Sequence, residues 1–357
     1  MKSKVYFVAV NNDDGILAVQ EKLRRLLTTS KVLDIVPPGA RAVLKLHFGE
    51  EGNKGYVRPE YVRVLSEQII SRRANPILSD TNTLYRGMRT NSRDHLTIAT
   101  KHGFTTAATL AEVVIPEDGS STVASIPIQQ KHIEVAKVSR LFLDAGALID
   151  VTHFKGHMMT GFGGALKNIG MGCASREGKL AQHSDVSPMV HTENCVGCAA
   201  CVKVCPVTAI SLVDKKASIN GEKCIGCASC LAACEYHAMD VKWESGGAVL
   251  QEKMVEYAKA VLDRQKGKAA FVNFALKITK ECDCLAQDDP RIAPDVGIFA
   301  SLDPVAIDKA CYDRVVAASG KDVFKKAHPD RDAMKQLRYA AQLGLGNLDY
   351  DLVRVNE

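Results

Sequence analysis

The sequence predicts an α/β fold. A mostly parallel sheet scaffold is carried by two separate stretches of chain, and a small α+β module is inserted between them. Three observations predict this. Short apolar runs alternate with amphipathic helical patterns up to about residue 154, and the same alternation resumes after the module. Between the two lie the runs "CVGCAACVKVCP" (Cys195 to Pro206) and "CIGCASCLAACE" (Cys224 to Glu235). Strand–helix alternation argues for parallel pairing, because neighbouring parallel strands need a crossover that a helix supplies. The expected boundaries are 1–189 and 246–357 for the scaffold and 190–245 for the module.

The elements follow in order. "VYFVAV" (Val5 to Val10) reads as a first strand, and Ile16 to Leu27 as a helix. "ARAVLKLHF" (Ala40 to Phe48) is a strand. Pro59 then opens a helix reaching about Arg73, since a first-turn N–H has no intrahelical partner to lose. "PILSD" (Pro76 to Asp80), "LAEVVI" (Leu110 to Ile115) and "ALIDVTHF" (Ala147 to Phe154) are further strands, with a helix over Ser92 to His102. After the module come a helix from Leu250 to Arg264 and strands "AAFVNFAL" (Ala269 to Leu276) and "VGIFAS" (Val296 to Ser301). Asp303 and Pro304 cap and start a helix through Ala318.

Eight of the chain's 12 cysteines lie between Cys195 and Cys234. Cys195, Cys198, Cys201 and Cys205 map onto Cys224, Cys227, Cys230 and Cys234 at a constant offset of 29, as do Gly197 onto Gly226 and Ala209 onto Ala238. Duplication at fixed period means two similar half-modules packed together. The spacing, Cys-x2-Cys-x2-Cys-x3-Cys followed by Pro in the first copy, is the bacterial ferredoxin run for [4Fe–4S] clusters, in which the fourth cysteine ligates the other cluster. One cluster is therefore expected on Cys195, Cys198, Cys201 and Cys234, and the other on Cys224, Cys227, Cys230 and Cys205. Gly197 and Gly226 let the backbone turn closely round each site. Val196, Ile225, Ile210 and Met239 read as the module's own core. In the second copy Glu235 stands where the first has Pro206, a change that tunes the turn. Structural zinc is the weaker reading, because it usually takes two separated ligand pairs. A disulfide scaffold suits short secreted chains better than one of 357 residues.

Hydrophobic residues make up 46% of the chain, enough to bury a real core, and the net charge of +5 is scattered. No Lys/Arg block alternates with aromatics, so nucleic acid is not an expected partner. No run of eighteen or more apolar residues is present, and the N-terminal apolar run is too short for a signal segment. No membrane role is expected, and the expected location is cytoplasmic. No Gly-x-Gly-x-x-Gly follows a strand; "GFGGALKNIGMGC" resembles one without the context.

Polar residues collect where strands should end, which is where open α/β sheets bind ligands. They are His47 and Glu50; Asp80, Asn82, Tyr85 and Arg86; then His153, Lys155 and His157. "THFKGHMMTGFGGALKNIGMGCASREGKLAQH" adds Lys167, Cys173, Arg176, Lys179 and His183, a mixture suited to an anionic small molecule. The candidate catalytic residues are His47, His153, Lys155, Lys167 and Cys173. Cys282 and Cys284 form a Cys-x-Cys pair open to three readings: a third metal site completed by Cys173, His153 or His183, a redox dithiol, or a structural pair. Arg86, Arg89 and Arg93 read equally as an anion clamp or a solvated face. Asp303 is a helix cap, Cys311 is core, and His95, His102, His132 and His328 are structural.

Stretches outside the module carry a resemblance: "LKLHFGEEGNKGYVRPEYVR", "SDTNTLYRGMRTNSRDH", "HFKGHMMTGFGGALKNIGMGCASREGK", "ECDC" and "LDPVAIDKA". They resemble domain of unknown function family 362, in a branch of iron–sulfur center proteins with an inserted two-cluster ferredoxin. The resemblance runs from about Val5 to Tyr350. It implies cluster binding on an α/β scaffold and supplies no reaction. A distant likeness to lactate-racemase-type α/β proteins is fold analogy only.

The function expected is single-electron transfer by two [4Fe–4S] clusters between a redox partner, such as a ferredoxin or reductase, and a substrate or metal site in the scaffold cleft. The alternatives are a non-catalytic carrier or redox-sensing subunit of a larger complex, and an enzyme whose clusters are structural.

Overall fold

A computed structural model describes residues 2–85, 87–183, 188–224, 226–240 and 247–355. Arg86 and Ile225 lie outside the described residues.

Eight strands form the main sheet: β1 (Ser3–Ala9), β2 (Arg41–Lys45), β3 (Asn75–Ser79), β4 (Glu112–Val113), β5 (Ala147–His153), β6 (Ala269–Ala275), β7 (Gly297–Ser301) and β8 (Tyr350–Arg354). Their spatial order is β8-β1-β7-β6-β5-β2-β3-β4. Strands from before and after the cysteine-rich module thus share one sheet. All neighbours pair parallel except β7, which runs antiparallel to both β1 and β6. "LAEVVI" yields only the two-residue β4. β8 and the hairpin of Val123–Pro127 with Val135–Ser139 are additions to the expected strands.

Period-two alternation splits the core into two layers. Ala42, Leu44, Ile149, Val272 and Ala300 face helices α1 (Ile16–Ser30) and α2 (Pro59–Ser71). Val43, Leu148, Phe271 and Phe299 face α4 (Ala165–Gly170), α6 (Gly247–Arg264) and α7 (Pro304–Ser319). Two further helices bear on the site: α3 (Ser92–Lys101) and α5 (Arg176–His183). Pro59 sits in the first turn of α2, and Asp303 accepts the Val305 and Ala306 N–H groups at 2.9 Å, capping α7.

The cysteine-rich module repeats its backbone as well as its sequence. Gly197 and Gly226 have φ of 72° and 69°, Ala199 and Ala228 of 60° and 58°, and Thr208 and His237 of 50° and 53°. Each pair is separated by the same 29 residues as the cysteines. A Cβ on Gly197 would stand 2.4 Å from the Lys215 carbonyl oxygen, so this close turn admits no side chain.

Candidate functional site

The parallel strands β2, β3, β5 and β6 deliver their carboxyl ends to one edge of the sheet, where a cavity of about 550 Å³ opens. Lys45, at the end of β2, is fully buried and lies 2.9 Å from Asp80 Oδ1, just past β3. Its Nζ also donates to Asn168 Oδ1 at 2.7 Å. Burial pushes the Asp80 carboxyl up, but Lys45, His95 and Arg89 pull it below its usual range. Arg89, only 1% exposed, meets Glu50 at 3.3 Å and Asp80 at 3.5 Å, and donates to the Tyr85 hydroxyl at 2.5 Å. These buried ion pairs fix the floor of the cavity, since neither partner has water to fall back on.

A second group faces it from the loop after β6. Cys282 and Cys284 both line the cavity with Lys155, His157 and Lys167. The Cys284 N–H donates to Cys282 Sγ at 3.4 Å, and Lys167 Nζ lies 3.9 Å from the same sulfur. A hydrogen bond from the Cys284 thiol holds the Cys282 thiol well below its ordinary value, against burial and with help from Lys167 and Lys155. That same bond and burial hold Cys284 well above. His157, Cys282 and Cys284 place their ligand atoms within 4.8 Å of one another. Asp283 points away from the cavity and ties Lys155 (3.5 Å) to His153 (2.8 Å).

The expected residues divide accordingly. His47, Lys155 and Lys167 line the cavity, as do Asp80, Tyr85, His157, Lys179 and His183. Burial holds the His47 and His157 imidazoles well below their ordinary value and brings His183 to about 3. His153 lies elsewhere. Its Nδ1 meets Asp283 and its Nε2 meets the Leu276 carbonyl at 3.0 Å, on the side of a different, polar cavity. It positions Asp283. Cys173 is fully buried in the hydrophobic layer, outside the cavity wall, and burial raises its thiol far above the ordinary value. Among the described residues, neither belongs to the donor group gathered at Cys282 and Cys284. Arg176 is engaged by Asp118 and the Thr90 carbonyl, and Arg93 is exposed. Of the three clamp arginines, Arg89 reaches the cavity among the described residues.

Lys45 and Asn168 are further residues of the site. Each belongs to a hidden polar network that includes Asp150, whose carboxylate accepts from Thr152 Oγ1 at 2.6 Å and Asn168 Nδ2 at 2.8 Å. A lone charge inside an otherwise apolar strand was the available signal.

In the cysteine-rich module, a small apolar cavity is lined by Cys195, Cys198, Cys201 and Cys234 together with Val196, Leu212 and Tyr236. The Ala217 N–H donates to Cys195 Sγ at 3.3 Å; Ala209 and Ala238 donate to Cys205 at 3.2 Å and Cys234 at 3.3 Å. Among the described residues, an apolar cluster joins the module to the scaffold: Ala228 and Leu231 with Leu84 and Leu180. Leu84 lines the large cavity, and Leu180 follows Lys179, which also does.

A mixed, mostly parallel sheet with a charged cleft at its carboxyl edge makes this an α/β protein. The chain belongs to the family described as Domain of unknown function (DUF362), whose profile matches residues 42–313. No curated protein matches it. Among solved structures it is similar to the lactate racemase apoprotein from Thermoanaerobacterium thermosaccharolyticum, with 14% identity over 76% of this chain and 50% of that one and a TM-score of 0.40. It is also similar to a Thermotoga maritima protein, with 12% identity over 93% of this chain and 60% of that one and a TM-score of 0.39. The chain thus spans half to three-fifths of the length of these two structures. No helix among the described residues is long and apolar enough to cross a membrane.

Proposed function

We propose that the chain is an iron–sulfur redox protein. Two [4Fe–4S] clusters pass single electrons between a partner protein, such as a ferredoxin or reductase, and an anionic small molecule held in the scaffold cavity. The observation that carries the reading is the cavity formed by Cys195, Cys198, Cys201 and Cys234, the set expected when two ferredoxin runs exchange their last cysteines. The donor chemistry fits the group: four thiols share one apolar pocket, with backbone N–H groups aimed at sulfur. The clusters, when bound, supply one-electron reduction or oxidation.

The two halves of the module have different neighbours. Val196, expected in the module's core, is instead exposed, as are Val213, Tyr236 and Cys198 near the first four-cysteine set. That apolar face suits a redox partner. The second run, through Ala228 and Leu231, abuts the rim of the scaffold cavity. Electrons would therefore pass through the module in one line, from docking face to cleft. The cleft wall offers Lys45, Arg89, Lys155, Lys167 and Lys179 against Asp80 as its carboxylate, which favours an anion.

The test is anaerobic reconstitution, iron and sulfide analysis, and EPR after reduction with dithionite, followed by a screen of small carboxylates and phosphate esters that also carry a reducible group, such as a carbonyl or conjugated double bond, as oxidants of the reduced protein. Eight iron atoms per chain are expected from two cubanes, within about one atom. Protein that stays iron-free and EPR-silent sinks the reading.

A further inference from the structure

The scaffold cavity holds a second donor set that the electron-transfer reading does not use. We propose that His157, Cys282 and Cys284 form a three-ligand site for a zinc-like divalent cation, with the fourth position open to the cavity for an oxygen of the anionic substrate. The proposal rests on the cavity being the substrate site; it does not depend on the iron–sulfur clusters.

Geometry comes first. Tetrahedral zinc with bonds of about 2.3 Å to sulfur and about 2.0 Å to nitrogen holds its ligands roughly 3.5–4 Å apart. The three ligand atoms here lie within 4.8 Å of one another, so small side-chain adjustments close the site. All three residues line one cavity, and two thiols with one imidazole is a donor set suited to zinc. A structural zinc site would be closed by a fourth protein ligand. Here the described residues bring three ligands together, beside about 550 Å³ of open cavity.

The contacts around the ring set the proton shift that loading would need. His157 is held at Nδ1 by the Met159 and Thr160 N–H groups, at 3.2 and 3.3 Å, and by the Thr160 hydroxyl at 3.1 Å. Nδ1 accepts these N–H groups in the metal-free chain, so a metal on Nε2 would require the ring proton to leave Nε2 for Nδ1 and the two N–H donors to turn aside. In that state the Thr160 oxygen would accept the Nδ1 proton, because its own hydrogen goes to the Phe162 carbonyl at 2.7 Å. Gly156, next to His157, packs so closely on the loop before the cysteines that a Cβ there would lie 2.2 Å from the Lys280 carbonyl oxygen. The imidazole and the thiols are thus held on two segments locked together.

Charge also balances. Asp283 offsets Lys155, and Lys167 beside Cys282 offsets one thiolate in the metal-free site. Metal binding would displace the Cys284 proton to solvent. Two thiolates then neutralise the divalent ion, and the Lys167 charge is left over to attract an anion. The metal's role would be to polarise the substrate oxygen it binds.

The experiment is zinc analysis and zinc-edge X-ray absorption on the full chain, purified anaerobically and reconstituted with iron, sulfide and zinc. About one zinc per chain with a shell of two sulfurs and one nitrogen is expected, completed by oxygen. Cys282→Ser/Cys284→Ser should lose that zinc while keeping its iron. Thr160→Val, which keeps all three ligands, should weaken zinc binding about 10–100-fold. A four-sulfur zinc shell, or zinc retained by the double variant, would assign the metal to the cysteine-rich module and overturn the proposal; so would a wild-type chain without zinc. Because iron and zinc are counted separately, failure of the cluster reading leaves this result standing, and the reverse also holds.

Discussion

Leu180, on α5 beside the cavity-lining Lys179, packs against Ala228 in the second cysteine run. This apolar contact joins the module to the rim of the cleft. Leu180→Asp places a charge in it, which an apolar contact cannot solvate. Hydrogen exchange should quicken in both α5 and the helix Ser229–Ala233, while iron content stays at the wild-type level. Unchanged exchange in Ser229–Ala233 would show that something other than this contact holds the module.

Cys234 shares its cavity with Cys195, Cys198 and Cys201, although it belongs to the other run. If the last cysteines are exchanged, Cys234→Ser damages the cluster of the first run and Cys205→Ser that of the second. Each should leave roughly four of eight irons and abolish the magnetic interaction between two reduced clusters. Cys198→Ser paired with Cys234→Ser should then do no more harm than Cys198→Ser alone, because both act on one cluster. Iron loss that doubles in the pair would mean the ligands are not exchanged.

The fold was legible wherever the hydrophobic period was clean. "VYFVAV", "AAFVNFAL" and "VGIFAS" became β1, β6 and β7, because buried strands show as near-continuous apolar runs. The antiparallel direction of β7 left no mark, since strand direction is not written in a strand's own residues. β8, "YDLVR", was hidden because its edge position leaves it half-exposed and without strong alternation. At the site, strand ends pointed to His47, Asp80 and Lys155. They could not separate His153 from His157: the chain leaves the sheet at Phe154, and the two rings end on opposite sides of Asp283's loop. Lys45 was passed over because a Lys in a strand ordinarily marks a solvent face; here Asp80 and Asn168 compensate for its burial.

Lys179 gives the cleft a pH dependence. Burial lowers its ammonium to about 8, with Asp80 pulling the other way. The cavity should therefore bind anions with this charge in place below pH 8 and lose it above. Sulfate, whose own charge is constant over the range, should bind about tenfold more weakly at pH 9 than at pH 7, a difference of one charge contact worth about 1.4 kcal/mol. The sign for stability is opposite. A depressed lysine costs the fold stability below pH 8, and that cost fades as the pH rises toward 10.5, the ordinary lysine value. Lys179→Met should thus bind sulfate weakly at both pH values while unfolding no more readily at pH 7. Titration calorimetry and thermal melts read the two effects, and a sulfate affinity that stays flat in wild type refutes the assignment.

Asp308 supports the site from the core. It lies on α7, fully buried, yet its carboxylate accepts the Ala165 N–H at 2.7 Å and the Leu166 N–H at 3.0 Å, and the Asn273 amide at 2.7 Å. It therefore caps α4, the helix that presents Lys167 and Asn168 to the cavity, from a distant part of the chain. Asp308→Ala orphans those donors and should cost about 2–4 kcal/mol, two or three buried hydrogen bonds at about 1–1.5 kcal/mol each. Burial, against these bonds, raises the Asp308 carboxyl to about 6. An acid raised in the fold binds protons more readily there than in the unfolded chain, so this contribution is fully present below about pH 4 and is lost as the pH rises through 6. The stability gap between wild type and Asp308→Ala should accordingly be widest near pH 4 and narrowest near pH 7 in urea titrations. A gap that widens toward neutral pH would mean the folded chain prefers the carboxylate, and the cap would then be acting as a charge at the start of α4.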